Sequence, residues 1–509
     1  MDKNYYITTP IYYVNDKPHI GHAYTSIACD VLARFKRLDG YSVKFLTGTD
    51  EHGQKVEKAA KSQNKSPLEY ANFISKDFKF LTKTLNLSND DFIRTTEKRH
   101  ILAAQSLWSK LYENKHIYLD KYAGWYALRD EAFYSEKEII NGKAPSGADV
   151  SWVEEESYFF DLSKWQDKLL EFYDKNPNFI LPKSRMNEVK SFVKGGLRDL
   201  SVSRTSFEWG VKVPNNDKHI MYVWLDALTN YLSAIGYPDT LENEYVNFWP
   251  ADIHMVGKDI LRFHAVYWPA FLMAAKLPLP KRIFAHGWWT NEGQKISKSE
   301  GNVIDPLEII SSYGLDQIRY FLLREVPFGS DGDFSKTALL ARINGDLSND
   351  LGNLCQRVIS MIYKNCNGFI PRKCEKLNDR DIIFYNKSNA LYEKVKNEID
   401  KQSFHEAIKL IWAFISDANK YVDEQAPWKL RKTDERRMND VLWILADTIR
   451  KIAIIVQPFM PDSSNKILDQ LSIDRSERDF SYLDSNHAIK SNKINSPSPI
   501  FPRIEEKYE

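Results

Sequence analysis

Two histidines close to the start of the chain have a spacing that suits chemistry. His19 and His22 stand on either side of Gly21 in the segment KPHIGH, and a long amphipathic stretch follows. Imidazole nitrogens can bind a metal ion, pack in a core, or donate hydrogen bonds to a phosphate. Asp50 and His52, in the segment TDEH, could complete a zinc site, because HxxH together with DxH offers adequate ligands. The residues alone leave all three interpretations open.

Lys295 and Lys298 form a second candidate group. They lie in GQKISKSEGNVIDP, residues 293–306, where glycine and serine predict a mobile loop and nothing apolar requires burial. A solvated basic loop would explain this segment. Two lysines on a flexible loop would also suit the stabilisation of a transferring phosphoryl group or a departing pyrophosphate.

The elements around the histidines favour the phosphate interpretation. YYITTPIYY, residues 5–13, has strand character, although Pro10 restricts it to an edge or a strand end. Apolar residues at steps of three and four predict a helix over residues 21–38, and residues 43–46 predict a second strand. Strand, helix and strand in this order predict a parallel sheet with a right-handed crossover. The histidines would then lie at the carboxyl edge of the sheet and at a helix N-terminus, where amide groups and the helix dipole favour anions.

Composition limits the class of protein. A chain of 509 residues with 43% apolar residues exceeds one hydrophobic core, so we expect two or three domains. The 70 basic and 69 acidic residues nearly cancel, so a polyanionic partner would need local patches. The four cysteines form no CxxC pair, which fits a reducing compartment. With no leader segment and no long apolar span, we expect a soluble, cytoplasmic protein without a membrane partner.

The last third of the chain has helical periodicity. Segments near residues 335–364, 379–400, 403–422 and 436–457 predict a helical bundle. Within it, Asn353 and Arg357 lie four residues apart on one predicted helix face, and Trp428 directly follows a proline. Helix capping, a surface charge and a core tryptophan would explain these residues. An Asn, Arg and Trp cluster would also suit recognition of unstacked RNA bases.

The order of HIGH and then KISKS resembles the paired signatures of class I aminoacyl-tRNA synthetases. Within that class, seven segments are similar to methionyl-tRNA synthetases: TTPIYYVNDKPHIGH, FLTGTDEHG, YVWLDALTNY, VGKDILRFHAVYWPA, KISKSEGNVIDP, DLGNLCQRV and DEQAPW. The likeness runs through nearly the whole chain and ends at about Ser472. It implies an α/β fold in which a Rossmann-like parallel-sheet catalytic domain carries a connective insertion and is followed by an α-helical anticodon-binding bundle.

The resemblance implies an activity as well. Methionine and ATP with Mg²⁺ would form methionyl-adenylate and pyrophosphate, and the methionyl group would then pass to tRNA(Met), with no covalent enzyme intermediate. Aromatic walls would suit the thioether, because polarizable sulfur contacts rings favourably, and Asp50 would pair with the methionine ammonium.

By the same resemblance, each function receives a set of residues. Catalysis is assigned to His19, His22, Lys295, Lys298, Asp259 and Arg204. ATP binding is assigned to Asn15, His19, Gly21, His22, Gly257, Lys295 and Lys298. Methionine binding is assigned to Ile11, Tyr13, Asp50, Trp224, Ala227, Leu228, Tyr231, Ile260, Phe263, His264 and Trp268, of which Ile260, His264 and Trp268 step by four along one predicted helix face. Anticodon binding is assigned to Asn353, Arg357 and Trp428. A structural ion pair would be an alternative role for Asp259 and Arg204.

The likeness also divides the chain. The expected boundaries are 1–114 for the first half of the catalytic domain, 115–221 for the insertion, 222–286 for the second half, 287–345 for the lysine loop and stem-contact region, and 346–509 for the helical domain.

The insertion departs from the pattern of many relatives, which carry CxxC zinc knuckles there. Residues 115–221 contain no cysteine, and Trp125 and Leu128 stand at CxxC spacing. We therefore expect no structural zinc, and an insertion held by aromatic packing around Trp125, Tyr126, Phe133 and Tyr134. The insertion is also too short for a large editing domain. With no appended dimerisation domain in the sequence, we expect a monomer.

Two other classes of function remain open from the sequence. A small-molecule nucleotidyltransferase also uses an HxGH loop and a lysine loop, although the long helical bundle counts against it. A non-catalytic tRNA-binding paralogue would be expected to lose the histidines or the lysines, and this chain retains both pairs.

Overall fold

The computed structural model describes residues 3–15, 17–127, 129, 132–134, 136–295, 303–373, 375–484 and 486–505. A seven-stranded sheet lies at its centre, and every strand pairing in this sheet is parallel. Its strands are β1 (Asn4–Thr8), β2 (Tyr12–Tyr13), β3 (Ser42–Asp50), β4 (Asp91–Arg94), β8 (Ile180–Leu181), β13 (Ile253–Gly257) and β14 (Ile283–His286). The order is β2-β3-β1-β13-β14-β8, with β4 also paired to β3. The expected Rossmann-like parallel sheet is confirmed.

The start of the chain forms the predicted strand–helix–strand unit. Strand β1 pairs in parallel with β3, and helix α1 (Ile20–Leu38) connects them. Pro10 follows the end of β1, where its missing amide breaks no pairing. The second strand continues four residues beyond the predicted Leu46, because Thr47 and Thr49 are buried between neighbouring strands. The extension brings Asp50 to the carboxyl end of β3.

Helices pack around the central sheet. They are α2 (Gln54–Ser62), α3 (Pro67–Thr84), α4 (Lys98–Glu113), α7 (Val223–Leu228), α8 (Asn230–Ser233), α9 (Asn243–Phe248) and α10 (Trp268–Ala274), the last preceded by a π-helical turn, Phe263–Tyr267. Two further helices, α11 (Pro306–Tyr313) and α12 (Leu315–Arg324), lead towards the C-terminal part. The sheet is therefore covered by helices, as parallel sheets require.

Residues 115–221 form a structure of mixed composition. Strands β5 (Ile117–Ala127), β6 (Ala132–Tyr134), β7 (Ser151–Phe160) and β9 (Leu200–Ser201) make an antiparallel sheet in the order β6-β5-β7-β9. Helix α5 (Gln166–Lys175) precedes β8 in the chain and helix α6 (Lys183–Lys194) follows it, and β8 joins the central sheet by pairing with β14. The segment expected to be an insertion thus supplies one strand of the central sheet.

The remaining strands of the described residues form two small sheets. The first contains β10 (Ser203–Arg204), β11 (Lys212–Val213) and β12 (Asn216–Met221), in the order β10-β12-β11. The second contains β15 (Trp289–Asn291), β16 (Gln294–Lys295) and β17 (Gly332–Phe334), in the order β16-β15-β17.

The C-terminal part is helical, as predicted. It contains α13 (Lys336–Ala341), a π-helical segment (Arg342–Gly352), α14 (Asn353–Asn365), α15 (Asp379–Asp400), α16 (Phe404–Gln425), α17 (Pro427–Thr433), α18 (Glu435–Val456) and α19 (Pro461–Gln470). The tail beyond Ser472, which carries no recognisable motif, packs back onto this bundle. Its Ile489, Ile494, Ile500 and Phe501 are buried in the same apolar core as α1 and the bundle helices. None of the described helices combines the length and the apolar composition that crossing a membrane requires.

A buried ion pair connects α1 to the helical bundle. Asp30 and Arg319 are both inaccessible to solvent, and their side chains are 2.7 Å apart. Arg319 also donates to the carbonyl oxygens of Pro458 and Phe459, which follow α18. Burial alone would raise the pKa of Asp30, but Arg319 and Arg34 hold it below its ordinary value. The helix that begins at the histidines is thereby fixed to both parts of the protein.

Candidate functional site

A cavity of about 1710 Å³ opens where the central strands end. Ile11 lines it just after β1, Asp50 at the end of β3, Gly257 at the end of β13 and His286 at the end of β14. A parallel sheet binds ligands beyond the carboxyl ends of its strands, and this cavity occupies that place.

The two histidines cap helix α1 at the edge of this cavity. His19 is the N-cap residue, and its Nδ1 accepts the N–H of Gly21 at 3.1 Å. His22 lies three residues on, and its Nδ1 accepts the N–H of His19 at 3.0 Å. The pair thus satisfies helix amides reciprocally, as the Ser and Glu side chains of a capping box do. The i, i+3 spacing before an apolar run was the signal for this arrangement in the sequence.

The cap fixes where the protons lie on the two rings. A nitrogen that accepts a hydrogen bond carries no proton, so each neutral ring must carry its proton on Nε2. Burial lowers the pKa of His19 and lowers that of His22 further, with the neighbouring His19 adding to the second effect. The rings lie close together, with centroids 3.9 Å apart. The site therefore presents neutral N–H donors, which suit phosphate oxygens.

Gly21 has a structural role that the sequence did not reveal. A Cβ atom placed there would lie 2.9 Å from Cε1 and 3.1 Å from Nδ1 of His19. The glycine therefore leaves space for the imidazole of the N-cap residue. The expectation that it leaves space for adenine stays a prediction.

Asp259 lies next to the histidine cap. Its Oδ1 accepts the indole N–H of Trp288 at 3.1 Å, and its charge opposes the fall in the pKa of His19. A Cβ on Gly257 would come within 2.5 Å of the same Oδ1, so the glycine permits this carboxylate to fold back over the strand end. Arg204 also lines the cavity, and it donates to Ser201 Oγ at 2.5 Å.

Arg204 is held by its surroundings. Its side chain is almost fully buried, and it also donates to the carbonyl oxygen of Ser203 at 2.7 Å. The guanidinium lies 3.8 Å from the centroid of the Tyr222 ring. These contacts hold the Arg204 guanidinium at the cavity wall and shield it from solvent.

Aromatic side chains form an apolar part of the cavity. Trp224 and Phe263 stack with ring centroids 3.3 Å apart. Tyr231 and His264 are joined by a hydrogen bond of 2.7 Å between the hydroxyl and Nε2, and Nδ1 of His264 lies 3.0 Å from the carbonyl oxygen of Ile260. Because a carbonyl can only accept, the proton of His264 is on Nδ1, and the Tyr231 hydroxyl donates to Nε2. Burial lowers the pKa of His264 to about 4, so this wall is neutral.

Most of the residues expected for ATP and methionine share this cavity. Those that line it are Ile11, Tyr13, His19, Gly21, His22, Asp50, Arg204, Trp224, Ala227, Leu228, Tyr231, Gly257, Asp259, Ile260, Phe263 and His264. Asn15 and Trp268 lie outside the lining, and Asn15 is exposed. Lys298 and the side chain of Lys295 lie outside the described residues, so the structure does not place the lysine loop.

Trp268 is buried next to the aromatic wall. The chain forms a π-helical turn over Phe263–Tyr267, so the regular helix face expected through Ile260, His264 and Trp268 is interrupted. Trp268 is fully buried, its ring centroid lies 6.0 Å from that of Tyr231, and its indole N–H donates to Nε2 of His254 at 3.3 Å. Its assignment to methionine binding stays a prediction.

His254 was not predicted from the sequence. It lies on β13, its Nδ1 is 2.8 Å from the Thr8 hydroxyl, and its ring stacks on Tyr231 with centroids 4.1 Å apart. Thr25 and His286 were also not predicted, and their side chains lie 2.7 Å apart at the cavity edge. Neither the pair His254 and Thr8 nor the pair Thr25 and His286 has a local sequence signal, because the two residues of each pair lie on separate strands or helices.

The three residues expected at an anticodon site lie on two neighbouring helices. Asn353 is exposed at the start of α14, and Arg357 follows one turn later. The Arg357 guanidinium is 5.4 Å from the ring centroid of Trp428, which is the second residue of α17 and is 41% exposed. Arg357 also pairs with Asp423 at 2.6 Å. The arrangement offers an exposed aromatic surface with a cation beside it.

The antiparallel sheet of the insertion carries a row of aromatic residues. Trp125 on β5 faces Trp152 on β7 and Tyr134 on β6, and the two indoles pack edge to face at 5.4 Å. Leu128 and the side chain of Phe133 lie outside the described residues. Within the part of the chain that the structure describes, no group of three or more His, Cys, Asp or Glu side chains is arranged to bind a metal ion. The absence of structural zinc stays a prediction.

Comparison with known families matches both parts of the chain. Residues 5–150 and 137–359 match the family described as tRNA synthetases class I (M). Residues 370–508 match the family described as the anticodon binding domain of methionyl tRNA ligase.

Similar proteins cover the full length of the chain. A methionine–tRNA ligase of Rickettsia felis is 57% identical over 99% of both chains. One from Brucella suis is 52% identical over 100% of this chain and 99% of its own. The structure of Mycobacterium tuberculosis methionyl-tRNA synthetase in complex with methionyl-adenylate superposes with a TM-score of 0.95 at 48% identity, covering 98% of this chain and 100% of that one.

Replacing Gly21 by alanine should damage ATP use more than folding. The new Cβ would displace the His19 ring, and misplacement by about 1 Å can cost about a hundredfold in rate. We expect at least about a tenfold loss of kcat/KM for ATP, measured as pyrophosphate exchange, with little change in thermal stability. Gly345→Ala is the control, because nothing lies within 4 Å of a Cβ there. Equal losses of activity and stability in Gly21→Ala would contradict this explanation.

The buried histidines should make the fold sensitive to acid. Burial lowers the pKa of His22, His254, His264 and His286, so below about pH 6.5 the unfolded chain binds more protons than the folded one. Stability should therefore fall as the pH drops from 7 to 5, with His264 alone contributing about 2 kcal/mol of that loss at pH 5. Thermal unfolding across this range should show a shallower slope in His264→Gln. An unchanged slope would count against a buried neutral His264.

Proposed function

The chain belongs to the methionyl-tRNA synthetase family and has methionine–tRNA ligase activity, and we propose that the cavity at the carboxyl edge of its sheet carries out methionine activation. One observation supports this most strongly. The histidine cap, the Asp50 carboxylate and the aromatic wall around Tyr231 all line one cavity. They supply, in a single space, donors for phosphate, a partner for an ammonium group and an apolar surface for a thioether.

Activation needs the methionine carboxylate to attack the α-phosphorus of ATP. No side chain has to form a covalent bond, so the protein must position two anions and stabilise charge on the phosphate oxygens. We assign the Nε2–H groups of His19 and His22 to that task. Neutral donors suit it, because they bind phosphate oxygens without needing a proton from solution near neutral pH. Lys295 and Lys298 would stabilise the departing pyrophosphate.

Methionine would lie between Asp50 and the aromatic wall. Asp50 is almost fully buried at the end of β3, so an ammonium group that binds there replaces lost hydration with a charged partner. The thioether would contact Trp224, Phe263 and Tyr231. Because the Tyr231 hydroxyl already donates to His264, recognition of the sulfur would rest on shape and ring contacts more than on a donated hydrogen bond.

Magnesium would enter with ATP. Mg²⁺ in nucleotide enzymes is usually held by substrate phosphates and one or two carboxylates, and among the described residues Asp259 provides a carboxylate beside the histidine cap. Bound there, the ion would neutralise phosphate charge. The histidine cap, Asp50 and the aromatic wall would keep the binding roles assigned to them above. The proposal gives zinc no role.

We assign recognition of tRNA(Met) to the helical domain. Trp428 is 41% exposed with the Arg357 guanidinium beside it, and Asn353 is exposed one turn before Arg357. Unpaired anticodon bases could stack on the indole and accept from the guanidinium. The four cysteines form no CxxC pair, which supports a reducing compartment and therefore a cytoplasmic enzyme. We propose that it acts as a monomer.

The activation step can be tested without tRNA. The chain should catalyse methionine-dependent exchange of pyrophosphate into ATP, and Lys298→Ala should slow it by about a hundredfold or more, because one donor to a transition-state oxyanion is typically worth that much. Lys175→Ala, which removes an exposed lysine paired with Glu171, is the control and should keep full activity. No exchange with methionine would refute the proposed reaction. Exchange unaffected by Lys298→Ala would refute only the role of the lysine loop.

The anticodon assignment has its own test. Trp428→Ala should raise the KM for tRNA(Met) in aminoacylation by about tenfold, since base stacking on an aromatic ring contributes about 1–3 kcal/mol. Pyrophosphate exchange should stay at the wild-type rate. Phe80→Ala is a matched control, because Phe80 is an exposed aromatic on α3. An unchanged KM for tRNA in Trp428→Ala would place anticodon recognition elsewhere.

A further inference from the structure

Three successive residues at the end of β3 turn towards three different parts of the structure. Asp50 lines the cavity. Glu51 is fully buried and accepts hydrogen bonds from Arg94 at 2.6 and 2.9 Å. His52 lies with its Nδ1 2.7 Å from Oδ2 of Asp226 on α7. The proposed function uses only Asp50 of these three residues. The contact between His52 and Asp226 therefore needs another explanation.

Asp226 is the centre of a buried group. Its side chain has no exposure to solvent, and its second oxygen, Oδ1, lies 2.7 Å from Nε2 of His100 on α4. A carboxylate can only accept, so His52 carries a proton on Nδ1 and His100 carries one on Nε2. His100 continues the group to α8, because its Nδ1 is 3.1 Å from the hydroxyl of Ser233. We call His52, Asp226 and His100 the aspartate clamp.

The geometry of the clamp is maintained by the free-energy cost of leaving a buried charge without its partners. Burial alone would raise the pKa of Asp226, yet the two imidazoles hold it below the usual aspartate value, so the group is a charged carboxylate. A buried charge that loses a partner is costly, and removing one side of such a pair is strongly destabilising. Movement of α7 away from β3 or α4 would impose this cost. The three elements are therefore held at a fixed separation.

This separation sets the size of the proposed methionine site. Helix α7 carries Trp224, Ala227 and Leu228, which line the cavity, and the end of β3 carries Asp50. Asp226 lies between the first two of these wall residues in sequence, and His52 lies two residues after Asp50. The clamp thus joins the wall that would contact the side chain to the strand end that would bind the ammonium group.

We propose that Asp226 is a positioning residue for methionine, and that through His52 and His100 it sets the distance between Asp50 and the apolar wall on α7. This inference rests on the proposed function of the cavity. Asp226 need not touch the substrate. Neither the histidine cap nor Gly257 takes part in the clamp, so the ATP end of the cavity should depend on it much less.

The test is Asp226→Asn in the full-length chain, assayed by pyrophosphate exchange. Asparagine keeps the size of the side chain, but it replaces one of the two carboxylate oxygens by an NH2 group. Because His52 and His100 each donate to a different oxygen, one imidazole N–H would then face a donor in place of an acceptor. We expect the KM for methionine to rise by about tenfold or more, and the KM for ATP to stay within about twofold. A purely structural role would lower the active fraction, and hence kcat, without separating the two KM values.

Asp161→Asn is the matched control. Asp161 is also a buried aspartate paired with a histidine, at 3.1 Å from Nδ1 of His116, but it does not line the cavity. It should lose stability and keep both KM values. If Asp161→Asn raised the KM for methionine as much as Asp226→Asn, the effect would be general and the inference would fail.

His100→Asn provides a second route if Asp226→Asn folds poorly. It removes the clamp on the α4 side while leaving the contact between Asp226 and His52, and it should raise the KM for methionine by about threefold or more. Where Asp226→Asn does fold, the double variant should be no worse for methionine than Asp226→Asn alone, because both substitutions act through one unit. Additive effects, or an unchanged KM for methionine in each single variant, would overturn the inference. Absence of exchange in the unmodified chain would instead refute the proposed function.

Discussion

Helix α1 is buried along most of its length, so its polar groups must find partners inside the protein. Fourteen of its nineteen residues are buried. At its N-terminus the two histidines satisfy partly buried backbone amides, and in its middle Asp30 requires Arg319 to balance a charge without solvent. The first pairing faces the cavity and the second joins the helical bundle. The same requirement, that buried polar groups be satisfied, therefore positions the histidines that we propose as phosphate donors, and it fixes the bundle that would hold the tRNA.

The histidine cap explains how one short segment can serve both folding and chemistry. Each imidazole gives its Nδ1 to the backbone, which fixes the orientation of the ring and leaves Nε2–H available to a ligand. A ligand at this helix N-terminus would also meet the positive end of the helix dipole. Because the rings are already held in place, little reorganisation would be needed when ATP binds. The aspartate clamp would follow the same logic, because its buried side chains would fix the distance between Asp50 and the apolar wall on α7.

Local patterns predicted the parts of the structure that depend on neighbouring residues. The apolar spacing after Gly21 located α1, and the order of strand, helix and strand located the cavity at the carboxyl edge. The spacing also predicted one regular helix face through Ile260, His264 and Trp268, and there the chain forms a π-helical turn instead. Motifs gave no role to the tail beyond Ser472, whose apolar residues are buried in the bundle core. In the tail, packing against distant residues decided the conformation.

The sequence by itself determined the fold class, the family and the position of the histidines at a helix N-terminus, since these follow from spacing along one element and from motifs in a fixed order. The tertiary structure decided which nitrogen of each imidazole carries a proton, which aromatic residues reach the cavity, and which charges are buried together. The partners of Asp226 lie 174 and 126 residues away in the chain. A contact of that kind leaves no local pattern, because it arises only when separately formed elements pack and exclude water from the groups between them.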